Sequence, residues 1–269
     1  MTRTWKRWTV ALLACLTVFT LWRFHHRRAS NHAGLGELAL QHEPLTMLWA
    51  WETPEDLTAL DPSKAGVAFL SRELLLGTSV QIRLRRQPLH LAPNMWLMAV
   101  VRIETAPDFT ANAAATVETA RAIAVAAQQP GVHAVQVDFD ATSAQRPFYD
   151  AVLKQLRPQL PPGMPLSITA LVSWCGEESW LRGLPIDEAV PMFFRMGGPA
   201  TIRALRPKDA KGVREPLCFG SAGVSTDETW PAIHDAQRVY VFHPGSWTQQ
   251  DLARVNALGY HGLTGDLHR

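Results

Sequence analysis

Ala134-Val-Gln-Val-Asp-Phe-Asp-Ala141 is the stretch on which the reading of this chain turns. Its alternation sets Val135, Val137 and Phe139 on one face of an extended strand and Gln136, Asp138 and Asp140 on the other. Such a strand fits the wall of a barrel. Its valine side packs on helices, while the polar side points into the lumen and climbs toward the C-terminal mouth, where the reactive groups of such barrels are found. At a rise of ~3.3 Å per residue the two carboxylate positions are about 6.6 Å apart along the backbone, close enough for one charge to raise the pKa of the other. That pairing suits proton transfer; it equally suits a structural network with arginine and backbone donors.

Outward from this strand, β-like apolar runs alternate with helix-like stretches, the pattern of a parallel sheet covered by helices. The other strand candidates are Thr46 to Glu52, Gly66 to Ser71, Met95 to Glu104, Leu166 to Trp174, Glu188 to Arg195, Leu217 to Val224 and Arg238 to His243. Helix candidates are Ala111 to Gln128, closed by Pro130-Gly131, then Ser143 to Leu156, closed by Pro158, and Gln249 to Leu258, with Thr248 as N-cap and Gly259 as stop. Shorter helical turns are expected after the fifth and sixth strands. Eight strands in this length predict an α/β fold of the (β/α)8 TIM-barrel-like kind. The barrel is expected to be irregular, because Leu74 to Leu91 reads as a basic hairpin around Ser79-Val-Gln-Ile-Arg-Leu-Arg-Arg86 where a helix belongs. An open doubly wound sheet is the second architecture, since strand count alone does not close a barrel.

Ahead of this domain lies a hydrophobic segment, Thr9 to Trp22, with Arg3, Lys6 and Arg7 before it and Arg23, Arg27 and Arg28 after it. It is expected to be an N-terminal hydrophobic helix, apolar on every face. At ~1.5 Å per residue it is short for a bilayer core of about 30 Å, although edge tryptophans and snorkelling basic side chains let a short segment span. It suits an uncleaved anchor, the preferred reading, and also a cleaved signal. Residues 1–37 are therefore read as signal or anchor plus linker, and residues 38–269 as one barrel domain. The chain is expected to be exported, either anchored in the inner membrane facing the periplasm or secreted after cleavage. In an oxidising compartment Cys175 and Cys218, the only cysteines outside the segment, are a candidate disulfide, with two buried free thiols as the alternative.

Composition narrows the partners. Hydrophobic residues make up 47% and charged residues 19% of the 269, an ordinary globular balance. A net charge of +2 gives no broad attraction to nucleic acid. The sequence has no P-loop, dinucleotide glycine pattern, Gly-x-Ser-x-Gly elbow or His-Glu-x-x-His motif, so no cofactor and no metal are expected. The acidic strand at a barrel mouth makes carbohydrate the leading expectation. Sugar sites combine carboxylates that hold hydroxyls with rings that stack on sugar faces, and the chain has 10 tryptophans. Candidate catalytic residues are Asp138, Asp140, Glu104 and Glu52; candidate substrate-binding residues are Trp51, Arg102, Trp174, Arg195 and His243, all at predicted strand ends. Arg195, if buried, demands an acidic partner, for which Asp138, Asp140 or a substrate carboxylate would serve. Ser225-Thr-Asp-Glu228 reads as a capping box at a helix start.

Two resemblances bear on this. The acidic strand resembles the fourth strand of chitinase-like glycoside hydrolases, whose Asp-x-Asp-x-Glu carries a general acid two residues past the second Asp; that position here is Thr142. Ser167 to Cys175, Asp187 to Gly197 and Gly223 to Glu228, with Val135 to Asp140 and Trp49-Ala-Trp-Glu52, together resemble an uncharacterised bacterial family, domain of unknown function 3142. The resemblance implies a barrel related to glycosidases and transfers no catalytic assignment. The expected function is a glycoside hydrolase-like domain acting on an envelope glycan, with a non-catalytic sugar-binding or scaffold protein as the alternative.

Overall fold

The computed structural model describes residues 43–176, 180–195, 215–230, 236 and 238–264. The segment Thr9 to Trp22 and the stretch that follows the sixth predicted strand lie outside them. Among the described residues no helix is long and apolar enough to cross a membrane.

Eight parallel strands close on themselves in the order β1 (Thr46–Ala50), β3 (Gly66–Leu76), β6 (Leu97–Thr105), β7 (Val132–Asp138), β8 (Leu166–Leu171), β9 (Glu188–Met192), β10 (Ser221–Ser225) and β11 (Arg238–Phe242). Pairing of Met47 to Ala50 with Gly66 to Phe69 shuts the ring and excludes the open doubly wound sheet. Period-two alternation sorts every strand. Leu48, Val67, Val101, Val137, Ile168 and Val241 face outward into two buried layers under the helices. Met47, Trp49, Ala68, Met98, Val100, Val190 and Tyr240 fill the lumen. The interior is thus packed rather than hollow, as burial of apolar side chains requires.

Among the described residues three α-helices cover part of the outer wall: α1 (Ala113–Ala127), α2 (Arg146–Leu156) and α3 (Gln249–Leu258). Asn112 caps α1 by accepting from the Ala115 N–H at 2.9 Å. Thr248 and Asp251 form a reciprocal capping box on α3, which stops at Gly259 in a positive-φ conformation. α2 begins at Arg146 rather than Ser143, because Thr142 and Gln145 form a preceding turn in which the Thr142 N–H and hydroxyl both donate to Gln145 Oε1.

The irregular side arises from β3. A bulge at Ser71 shifts the register with β6, so that after Ala68 and Leu70 face inward, Glu73 does too, while Leu74 and Leu76 turn outward into the core under α1. β3 then runs past the barrel rim to pair antiparallel with β4 (Val80–Leu84). The chain returns through β5 (Leu89–Leu91), parallel to β2 (Glu55–Leu57). This two-stranded sheet contributes Leu57, Leu89 and Leu91 to the outer core, covering the wall where a helix is missing.

Candidate functional site

A pocket of about 1090 Å³ opens at the C-terminal ends of the strands. Its floor is aromatic. Trp49 on β1 is buried, and its indole N–H donates to Gln136 Oε1 at 3.1 Å, separating the pocket from the lumen below. Gly223 makes room for Met192 beside this ring, since a methyl there would meet Met192 Sδ at 2.7 Å. Phe194 and Phe242 stack with centroids 5.5 Å apart, and Trp51 meets Phe242 edge-on at 6.3 Å.

Above this floor stand the carboxylates. Asp138 ends β7 and is buried; its Oδ1 accepts from the Thr169 hydroxyl at 2.8 Å and its Oδ2 from Arg102 Nη1 at 2.9 Å. The same guanidinium donates through Nε to Glu104 at 2.9 Å and lies 5.6 Å over the Trp51 ring. Arg102 is therefore a bridge between two carboxylates. The guanidinium is held in place from both ends, and charge-assisted bonds of this kind are about twice as strong as neutral ones.

Asp140 differs. It lies beyond the last paired residue of β7, anchored by buried Phe139 and Ala141 on either side, and its carboxylate has no hydrogen-bond partner among the described residues. It is exposed to the pocket, yet the surrounding walls displace water from it and Asp138 adds like charge, so its pKa is raised despite the opposing pull of Arg102. A carboxyl that is reachable, unpaired and shifted toward neutrality is suited to give and take a proton.

Of the other sequence candidates, Trp51, Glu52 and Arg195 also reach the pocket. Glu52 is a clamp: its Oε1 accepts from the backbone N–H groups of Arg86 and Gln87 at 2.9 and 3.2 Å, holding the hairpin over the mouth. Arg195 is exposed rather than buried, which removes the need for an acidic partner. Its guanidinium lies 5.3 Å over the Phe242 ring, and its backbone N–H donates to Glu228 at 3.0 Å. Glu228 thus supports the pocket rim, and Asp227 accepts from the Ser225 hydroxyl; residues 231–235, where a helix would continue, lie outside the described residues.

Two expectations are corrected. Trp174 is not a sugar platform: it is 1% exposed, sits in a turn after β8 and packs edge-on against Trp180 at 4.8 Å in the outer core. Its strand has already ended, so the alternation that placed it at the mouth no longer applies. His243 is not in the pocket either. It turns into a separate small recess beside Asp227 and Asp251, where Nδ1 meets the Gly245 N–H at 3.1 Å and its ring packs on Trp247.

Sequence reasoning missed Glu73, Arg83, Arg86, Phe194 and Phe242, all of which line the pocket. Arg83 and Arg86 arrive on the basic hairpin, whose side-chain charges were the available signal. Arg85 secures that hairpin by donating to the carbonyls of Ala50, Trp51 and Thr53, the last at 2.6 Å. Cys175 and Cys218 are joined as a disulfide, tying the turn after β8 to the turn before β10. Among the described residues no cluster of His, Cys, Asp and Glu has the makings of a metal site.

Residues 94–190, spanning β6 to β9, match the family described as Domain of unknown function (DUF3142). The match contains Arg102, Glu104, Asp138, Asp140 and Thr169, the ionic centre of the pocket. Among curated proteins none matches the chain.

Proposed function

We propose that this barrel is a carbohydrate-active domain of the glycoside hydrolase kind, with Asp140 as its proton-handling group. The observation that carries the reading is the Asp140 carboxyl, unpaired and raised in pKa, over a floor of Trp51, Phe194 and Phe242. In a hydrolytic cycle Asp140 gives its proton to the glycosidic oxygen as the bond to the anomeric carbon breaks. Water adds to that carbon, and the proton it sheds passes to Asp138, two residues back along the chain. Arg102 and Thr169 fix Asp138 for this role, and rings beneath the sugar provide the stacking surface. Glu104, bonded to Arg102, and Glu52, bonded to backbone, are positioning residues in this scheme.

Delivery outside the cytoplasm belongs to the same proposal, with envelope glycans as partners. The hydrophobic segment Thr9 to Trp22 and the Cys175–Cys218 disulfide support it. A second reading, sugar binding without turnover, is favoured by Thr142, which stands where a chitinase-like acid would be and bonds to Gln145 at the start of α2 instead. Incubating the purified protein with a glycan panel beside Asp140→Asn separates the two. Turnover by wild type that the variant loses supports hydrolysis; glycan binding without product from either supports the second reading, and equal turnover by both refutes the assignment of Asp140.

A further inference from the structure

The charges lining the pocket are unevenly paired. Glu73 takes Arg83 at 3.4 Å, Glu104 and Asp138 share Arg102 at 2.9 Å, and Glu52 is occupied by two backbone N–H groups. Two guanidinium groups are left without a carboxylate partner among the described residues, those of Arg86 and Arg195. They approach the pocket from different walls. In the ring of eight strands β9, which leads to Arg195, is three places from β1, beside whose end Glu52 holds Arg86, and β7 with Asp140 beyond its end is two places from β9 and three from β1.

Exposed arginines are usually solvated and ask for no ligand. These two differ in being held at the pocket by specific backbone contacts. Arg195 has φ of 51°, a conformation uncommon for a residue with a side chain, and the Glu228 carboxylate grips its N–H there. That backbone lays the guanidinium on the Phe242 ring with its donors available to a ligand in the pocket. The Arg86 N–H is gripped by Glu52, and the neighbouring Arg85 fastens the hairpin to the end of β1. A planar guanidinium fork matches an oxyanion through two parallel hydrogen bonds.

We propose that the ligand of this pocket is an anionic glycan, with one acidic group on Arg195 and another on Arg86, on either side of the linkage facing Asp140. The proposal rests on the carbohydrate reading and adds the class of sugar. The test is calorimetric titration of the full chain with oligogalacturonate, a sulfated oligosaccharide of equal charge and neutral cello-oligosaccharides of equal length, at low and high salt. Binding of an acidic arm about tenfold tighter than the neutral arm, weakened by salt, is expected, and the ratio between the two acidic arms identifies the anion. R195Q and R86Q should each weaken acidic binding about tenfold and neutral binding by much less. Both positions are exposed, and unchanged melting temperatures certify the fold. Neutral glycans binding as tightly as acidic ones, or acidic binding indifferent to both substitutions, overturns the proposal while leaving the carbohydrate reading intact. Failure of all three arms to bind overturns both.

Discussion

Two arginine–carboxylate clusters occupy the same barrel, one at its floor and one at its mouth, and their difference separates stability from chemistry. At the floor Glu188 accepts from the Ser167 hydroxyl at 2.7 Å, the Tyr240 hydroxyl at 2.7 Å, Arg238 Nη1 at 2.9 Å and the Ser221 hydroxyl. Arg238 also reaches Glu43 at 2.9 Å, and every member of the group is buried. At the mouth Arg102 holds Asp138 and Glu104 in much the same manner, but the pocket is open and Asp140 is left over. A sealed network cannot engage a ligand without breaking, whereas an open one with a spare carboxyl can. Residue types alone do not distinguish the two clusters; accessibility and the count of partners do.

The comparison is most severely tested at Arg238. Replacing it with Met leaves Glu188 and Glu43 buried without their guanidinium, and removal of one partner from a buried ion pair costs about 3–5 kcal/mol. Urea denaturation should register that loss, and a variant as stable as wild type would show that the floor is not a structural network. At the mouth the pattern should invert. D140N is expected to lower turnover of any cleaved glycan by about a hundredfold or more, the usual contribution of a general acid, with no loss of thermal stability. A stability loss with turnover intact would reverse the roles assigned to the two ends.

Replacing Cys175 and Cys218 together by Ser should cost about 2–4 kcal/mol under oxidising conditions. Scanning calorimetry with and without reductant reads this directly, and the variant should be insensitive to the reductant. The smallest effect concerns Glu43. Burial, then the charge of Glu188, holds its carboxyl well above the ordinary 4.5, so the folded chain binds this proton more tightly than the unfolded chain. The resulting stabilisation is complete below 4.5 and is lost as pH rises through the raised value. E43Q, which mimics the protonated form at every pH, should match wild type in acid and melt slightly higher at neutral pH. Parallel melting curves across pH would contradict this.

Much of this was legible because alternation is a local property. Val135, Val137 and Phe139 outward and Gln136 and Asp138 inward could be assigned from five residues, and the same rule located β1, β6, β8 and β11 to within a few positions. The hairpin was legible too, from β-branched and basic residues around Ser79 to Arg86. What was not legible depended on where a strand stops. Trp174 and His243 follow β8 and β11 by three residues and one, and once the extended backbone ends, the side chain's face is set by the turn. Glu73 was hidden by the bulge at Ser71, which reverses the parity of every later residue in β3. Ring closure, the pairing of Arg102 with Asp138 and the isolation of Asp140 are long-range facts with no local signature.

Asp140 is held by its neighbours Phe139 and Ala141 rather than by the sheet ladder, which ends at Asp138. The position proposed to handle the proton is therefore outside the ladder that sets the architecture. If D140N proves as stable as the parent chain, selection can try new side chains at residue 140 without first rebuilding the scaffold, and an engineer can do the same.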